Sequence, residues 1–139
     1  MTFTTAIFAP MIAHVGLVYG LYFLLLRRRT ALVKAGEVEV SAFRDIRDEP
    51  TESLRVRNNI ANQFELPVLF HIGCLALFIA EADNEVALIL AWLFVVSRYV
   101  HAYVHVTSNR LRWRMPAFLF GYAMLGLMWL WLLVWITFS

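Results

Sequence analysis

The sequence has little cysteine and little charge. Cys74 is its only cysteine, and 16% of its 139 residues are charged. One cysteine excludes an intramolecular disulfide framework and a metal site built from several cysteines. In soluble domains about 25% of residues are charged. Apolar residues make up 61% of the chain, more than a small soluble domain can bury. The composition therefore predicts one integral membrane domain, residues 1–139.

Lysine and arginine are missing from three long stretches, residues 1–26, 58–97 and 115–139. About 20 apolar residues are enough to cross a bilayer as a helix. Four apolar segments of that length are present, at roughly residues 5–26, 54–80, 86–106 and 116–138. They predict an all-α, integral membrane four-helix bundle in contact with the lipid bilayer, and we expect no nucleic-acid partner.

The basic residues are concentrated in two of the three connections between these segments. Eight of the 12 lie between Arg27 and Arg57, and three more lie within residues 110–114. The remaining turn, residues 81–85, has only acidic charges. By the positive-inside rule, both basic connections are cytoplasmic, including the loop of residues 30–53. Both termini are therefore predicted on the non-cytoplasmic side.

Two charged residues lie inside apolar segments, Glu65 in the second and Arg98 in the third. Such residues are costly in a bilayer and usually have a partner or a function. At 1.5 Å per residue, they lie at similar depths, about 20–24 Å from the turn at residues 81–85. We expect them to form an ion pair. The pair could have a purely structural role and fix the register of two helices. Alternatively, it could belong to a binding site.

Polar residues accompany both charges at helical spacing. At 100° per residue, one face of a continuous second helix would carry a polar stripe. This stripe consists of Arg55, Asn58, Asn59, Asn62 and Glu65. A second stripe, on the third helix, consists of Arg98, His101, His105, Ser108 and Asn109, and Arg112 joins it if the helix continues that far. The polar residues in the cytoplasmic end turns of both helices could simply be exposed to water. However, both stripes extend toward the cytoplasmic side, which indicates a binding site lined by polar residues.

The residue types in these stripes suit a small zwitterion with more than one carboxylate. Arginine binds carboxylates in bidentate fashion, and Glu65 could bind an ammonium group. The histidines permit another interpretation, because His101 and His105 are four residues apart, a spacing that can form a metal pair. With His14 or His71 they could also ligate a haem. We expect no metal, since an intramembrane histidine is more often a hydrogen-bonded packing residue.

Two stretches resemble a known family. Residues 55–67, RVRNNIANQFELP, are similar to the second-helix signature of the membrane-associated proteins in eicosanoid and glutathione metabolism. That signature is an arginine, then Asn-x-x-Glu, then a proline. Residues 98–105, RYVHAYVH, followed by an arginine-bearing loop, resemble the third helix of the family. By position, Asn62 and Glu65 match the second-helix motif, and Arg98 and His101 match residues of the third helix.

The resemblance implies a homotrimer with glutathione sites between adjacent subunits, open to the cytoplasmic side. It also implies an arginine in or after the last loop that stabilises the glutathione thiolate. Here that arginine is Arg112 or Arg114, and we prefer Arg112 because it would continue the second stripe. The chain departs from the family pattern at Asn58, where an arginine is usual, and at His105, where a tyrosine is usual.

The sequence thus predicts a glutathione-dependent transferase or peroxidase that acts on a lipophilic small molecule in the membrane. The predicted catalytic residues are Arg112 and Arg114. The predicted cofactor-binding residues are Arg55, Asn58, Asn62, Glu65, Arg98, His101 and His105. The alternative is a non-catalytic membrane binding or scaffold protein with the same fold.

Overall fold

A computed structural model describes residues 5–139, so residues 1–4 of the predicted domain lie outside the described residues. The described residues form five α-helices and no strand. The helices are α1 (Phe8–Lys34), α2 (Thr51–Gln63), α3 (Leu66–Ile79), α4 (Glu85–Val106) and α5 (Leu111–Phe138). Helices α1, α4 and α5 are each long and apolar enough to cross a membrane, as is the run Thr51–Ile79 that contains α2 and α3. The predicted all-α, four-span membrane fold is confirmed, whereas the homotrimer stays a prediction.

The second span is not the continuous helix that the sequence analysis assumed. The backbone leaves the helical region at Glu65, where φ is −98° and ψ is −110°. Pro67 explains the break, because it has no N–H for the Gln63 carbonyl and its ring would clash with that carbonyl in a continuous helix. In the first turn of α3 a proline is tolerated, since the N–H groups there have no partner within the helix.

Helix α5 packs closely against α3 and α4 because two glycines leave room for it. A Cβ atom at Gly121 would overlap the hydroxyl of Ser97 on α4, and one at Gly73 on α3 would lie 2.6 Å from Met128 Cε. Gly121 is buried within α5. Small residues of this kind allow helices in a membrane to approach each other.

Glu49 fastens the long loop between α1 and α2 to both helices. Its carboxylate is fully buried, and it accepts hydrogen bonds from Arg29 Nε at 2.8 Å and from Arg57 Nη1 at 3.2 Å. Burial alone would raise the pKa of Glu49, but the hydrogen bonds from Arg29, Ser53 and Arg57 hold it below its ordinary value. One buried carboxylate therefore ties the loop to α1 and α2 together.

Candidate functional site

A layer of buried polar side chains crosses the bundle between α1, α2 and α4. These side chains are His14, Asn59, Gln63, Arg98, His101 and His105, each at most 6% exposed. On α2, Asn59 and Gln63 share one face because they are four residues apart. The spacing of three and four residues on α4 likewise turns its three members toward α2 and α5. Polar groups in such a layer need partners, because unpaired polar groups are costly in an apolar interior.

Hydrogen bonds join most of this layer into one chain. His71 Nε2 lies 3.0 Å from His14 Nδ1, and His14 Nε2 lies 3.0 Å from Gln63 Oε1. Gln63 Nε2 donates to Asn59 Oδ1 at 3.1 Å. Asn59 Nδ2 lies 3.0 Å from His105 Nδ1. The chain thus begins at His71 on α3 and ends at His105 in the second half of α4. We call it the polar chain.

Arg98 contacts the middle of the polar chain and not the residue predicted to pair with it. Its Nε donates to Gln63 Oε1 and its Nη2 to the Asn62 carbonyl, both at 3.4 Å. Glu65 is exposed, and the ion pairs among residues 5–139 both involve Glu49. The predicted Glu65–Arg98 ion pair is therefore wrong. The break after Gln63 is the reason, because it turns Glu65 away from the stripe that a continuous helix would have formed.

A cavity of about 200 Å³ lies beside the polar chain, at the end of α4 that leads into α5. Its lining residues are Asn62, His101, His105, Arg114, Met115 and Phe118. Four of these are predicted site residues, and they come from α2, α4 and α5. His101 Nδ1 is buried and has no hydrogen-bond partner within residues 5–139. A buried nitrogen without a partner is rare in folded proteins, which marks His101 as a residue of interest beside the cavity.

Arg114 reaches the cavity because the connection between α4 and α5 is short and sharply bent. Asn109 adopts a left-handed conformation, with φ at 52°, and its side chain accepts a hydrogen bond from Arg114 Nη1 at 2.5 Å. Asparagine tolerates this conformation better than most residues. The bend brings the first turn of α5 back toward the end of α4, so that Arg114 lines the same cavity as His101 and His105.

Arg112 lies outside this cavity. It is exposed, and its guanidinium lies 5.3 Å from the centre of the Trp113 ring. The reason for preferring Arg112 was the assumption that the third span continues to it, and that assumption is wrong because α4 ends at Val106. Of the two arginines predicted to be catalytic, the structure brings Arg114 to the predicted histidines and Arg112 to the surface.

The other predicted cofactor-binding residues lie elsewhere. Arg55 donates to the Thr107 carbonyl at 2.8 Å, which satisfies a free carbonyl at the end of α4. It lines a separate cavity of about 550 Å³ together with Arg28. Asn58 is exposed, and its carbonyl accepts a hydrogen bond from Asn62 Nδ2 at 3.3 Å. Arg55 and Asn58 are therefore near the candidate cavity but do not line it.

Gln63 is the central residue of the site that sequence reasoning missed. It accepts from both His14 and Arg98 and donates to Asn59. Its position was visible in the sequence, because it follows Asn59 by four residues and precedes the helix-breaking Pro67 by four. Within residues 5–139, no group of three or more His, Cys, Asp or Glu side chains could hold a metal ion.

The fold and the site together define an integral, multi-pass membrane protein with a polar layer and a small polar cavity inside its helical bundle. The chain belongs to the MAPEG family, whose family model matches residues 7–134. Members of that family are generally associated with glutathione and include membrane transferases and peroxidases. Neither a search of curated proteins nor a search of solved structures finds a match to the chain.

Proposed function

We propose that the protein is a glutathione-dependent membrane transferase or peroxidase that acts on a lipophilic electrophile. The observation that carries this proposal is the cavity in which Asn62, His101, His105 and Arg114 meet. Family membership supports it, because glutathione is the molecule with which the family is generally associated. The bilayer around the bundle would supply the apolar substrate.

The cavity lining fits the anionic end of a thiol peptide. Arg114 is a permanent cation, the Asn62 amide can donate or accept a hydrogen bond, and His101 Nδ1 has no partner in the described chain. Glutathione, when bound, would supply a nucleophilic thiol. Arg114 would lower the pKa of that thiol, as cationic neighbours do, and each unit corresponds to about 1.4 kcal/mol of preferential thiolate stabilisation.

A cavity of about 200 Å³ provides for only part of glutathione, which has two carboxylates and an ammonium group. We propose that a homotrimer completes the site between neighbouring subunits. The exposure of Glu65 and Asn58 on a single chain supports this arrangement, because their side chains remain free to contact a ligand held between subunits. Glu65 would then bind the ammonium group. We also propose that the site opens to the cytoplasmic side and that both termini lie on the other side.

Turnover of a soluble aryl halide electrophile by the protein in phospholipid nanodiscs tests the proposal. We expect Arg114→Ala to lower turnover by a factor of about 10²–10³, the scale for removal of one preorganised electrostatic group. Glutathione binding should fall less. Arg112→Ala is the matched control, since it removes an equal charge two residues away and should leave turnover nearly unchanged. Undiminished turnover in the double variant would remove Arg112 and Arg114 from the mechanism.

A second candidate function is supported by the positions of the family-motif residues. Glu65 and Asn58 are exposed, and Arg98 hydrogen-bonds to Gln63 and Asn62 within the bundle. These positions also suit a non-catalytic membrane binding or scaffold protein, in which the polar layer only fixes the helices. A wild-type protein that binds lipophilic ligands but neither binds nor turns over glutathione would establish this second function.

A further inference from the structure

We infer that Arg98 is a positioning residue that fixes the tautomer of His105, so that His105 presents an N–H donor to the cavity. Arg98 is 2% exposed and does not line the cavity. It would therefore act through the two amide side chains between it and His105. The use of that donor rests on the proposed function, whereas the tautomer itself can be measured without any ligand.

The first step is the orientation of the Gln63 amide. A guanidinium has donors only and cannot accept a hydrogen bond. Arg98 Nε therefore requires an acceptor at Gln63, and the structure places Oε1 there, 3.4 Å away. The opposite orientation would set the NH₂ group of Gln63 against a buried cation. The amide oxygen of Gln63 thus faces Arg98, and its nitrogen faces Asn59.

The second step carries this orientation to α4. Gln63 Nε2 donates to Asn59 Oδ1 at 3.1 Å and to the Asn59 carbonyl at 3.3 Å, so both of its hydrogens are used. The oxygen of the Asn59 side chain is then an acceptor, and its nitrogen is left to donate. That nitrogen lies 3.0 Å from His105 Nδ1. Nδ1 must accept this hydrogen bond, and in a neutral imidazole the proton then resides on Nε2.

The same reasoning orients the other end of the polar chain. Gln63 Oε1 also accepts from His14 Nε2 at 3.0 Å, so His14 Nδ1 is an acceptor. The His71 nitrogen at 3.0 Å from it must then donate. One buried cation in the middle thus gives all the hydrogen bonds of the polar chain one direction, with each donor pointing from His71 toward His105. The His105 end delivers an N–H to the cavity wall beside Arg114, where it can bind a carboxylate, carbonyl or thiolate.

Nitrogen NMR of the protein labelled with ¹⁵N-histidine, in nanodiscs without ligand, tests this inference. The signals of protonated and unprotonated ring nitrogens are well separated, and the loss of one set of signals in His105→Gln assigns those of His105. We expect wild-type His105 to have an unprotonated Nδ1 and a protonated Nε2. We expect Arg98→Met to give a mixture of both tautomers, whereas Arg98→Lys, which keeps a cationic donor, should retain the wild-type state.

Two further variants test the links between Arg98 and His105. Gln63→Leu cuts the connection and should also give a mixture. Asn59→Asp replaces the donor at His105 by an acceptor of the same shape and should protonate Nδ1. Ser97→Ala is the matched control, because Ser97 is buried beside Arg98 but its hydroxyl donates only to the Phe94 carbonyl of its own helix.

The NMR results test the role of Arg98 independently of the proposed function. A wild-type His105 protonated on Nδ1 would overturn this inference, as would an unchanged tautomer in both Arg98→Met and Gln63→Leu. An unprotonated Nδ1 in Asn59→Asp would also count against it. If the tautomers behave as expected but no glutathione turnover is found, the proposed function fails and the role of Arg98 stands.

Discussion

Helix α4 passes through two regions that are held together differently. Its first half packs in an apolar region, where Phe94 stacks on Phe70 with ring centres 4.6 Å apart. Its second half, from Arg98 to His105, lies in the polar layer. Shape alone determines packing in the apolar region, since lipid is as apolar as the side chains. In the polar region, hydrogen bonds tie Arg98 and His105 to particular partners on α2. The first half of α4 therefore contributes to the apolar packing, and the second half contributes side chains to the candidate site.

The largest predicted effect is the labelling of introduced cysteines, which is all-or-none. It shows on which side of the membrane each region lies. A cysteine at Glu85 marks the turn next to the apolar region, and one at Arg110 marks the connection next to the polar layer. Both positions are exposed. A membrane-impermeant thiol reagent applied from the cytoplasmic side should label the Arg110→Cys variant only. Cys74 is fully buried and serves as the unlabelled control, and labelling of both new cysteines from one side would contradict the four-span topology.

In the apolar region, Phe94→Ala should cause the largest loss of stability. Phe94 is 1% exposed, and truncation of a buried Phe costs roughly 3–5 kcal/mol in soluble cores. We expect a loss at the low end of that range here. The variant still loses the packing contacts of the ring, but transfer of the side chain from water contributes less to the stability of a membrane protein. The free energy of unfolding in mixed micelles containing SDS measures it. Leu93→Ala, at an exposed neighbour, is the control, and equal losses in the two variants would contradict a packed core at Phe94.

In the polar layer, Gln63→Leu should destabilise the protein by about 1.5–3 kcal/mol, the range for a hydrogen bond to a charged group. The loss arises because Arg98 and His14 both lose an acceptor. The same unfolding measurement applies, with Asn58→Leu as the control on the exposed face of α2. A Gln63→Leu variant as stable as the wild type would show that shape alone holds this region as well.

The smallest effect is predicted for Glu65→Gln. A buried ion pair with Arg98 would make this change cost about 3–5 kcal/mol, because it would leave a buried charge without its partner. Because Glu65 is exposed and Arg98 is bound elsewhere, we now expect a change within about 0.5 kcal/mol. A double-mutant cycle with Arg98→Met should show a coupling energy well below that of a contact ion pair, because the two charges interact only at a distance. Strong coupling would instead be evidence for a Glu65–Arg98 ion pair and would contradict the structure.

The presence of four helices long and apolar enough to cross a membrane could be predicted, because it depends on composition over about 20 residues. The break between α2 and α3 was not predicted, although Pro67 signals it, because the polar stripe was counted along an uninterrupted helix. Applying helical periodicity across the break placed Glu65 in the polar stripe and left out Gln63. A periodicity argument assigns residues to a face only as far as the helix continues.

The choice between Arg112 and Arg114 could not be made from the sequence for a related reason. It depends on where α4 ends and on the bend at Asn109, which are local backbone features of a short connection. Spacing does place His101 and His105 on one face, and the structure brings both to the cavity with Asn62. The sequence therefore predicted correctly which site residues share a face within one continuous helix. It did not predict which residues come together across a helix break or a short connection.

The central prediction is that bound glutathione forms a thiolate beside Arg114. The ultraviolet absorbance of thiolate, recorded as glutathione is added to the purified protein near neutral pH, measures this directly. We predict a saturable rise in thiolate absorbance for the wild type and for Arg112→Ala, and its loss for Arg114→Ala. No rise in the wild-type protein, or an equal rise in Arg114→Ala, would contradict the stabilisation of a glutathione thiolate by Arg114.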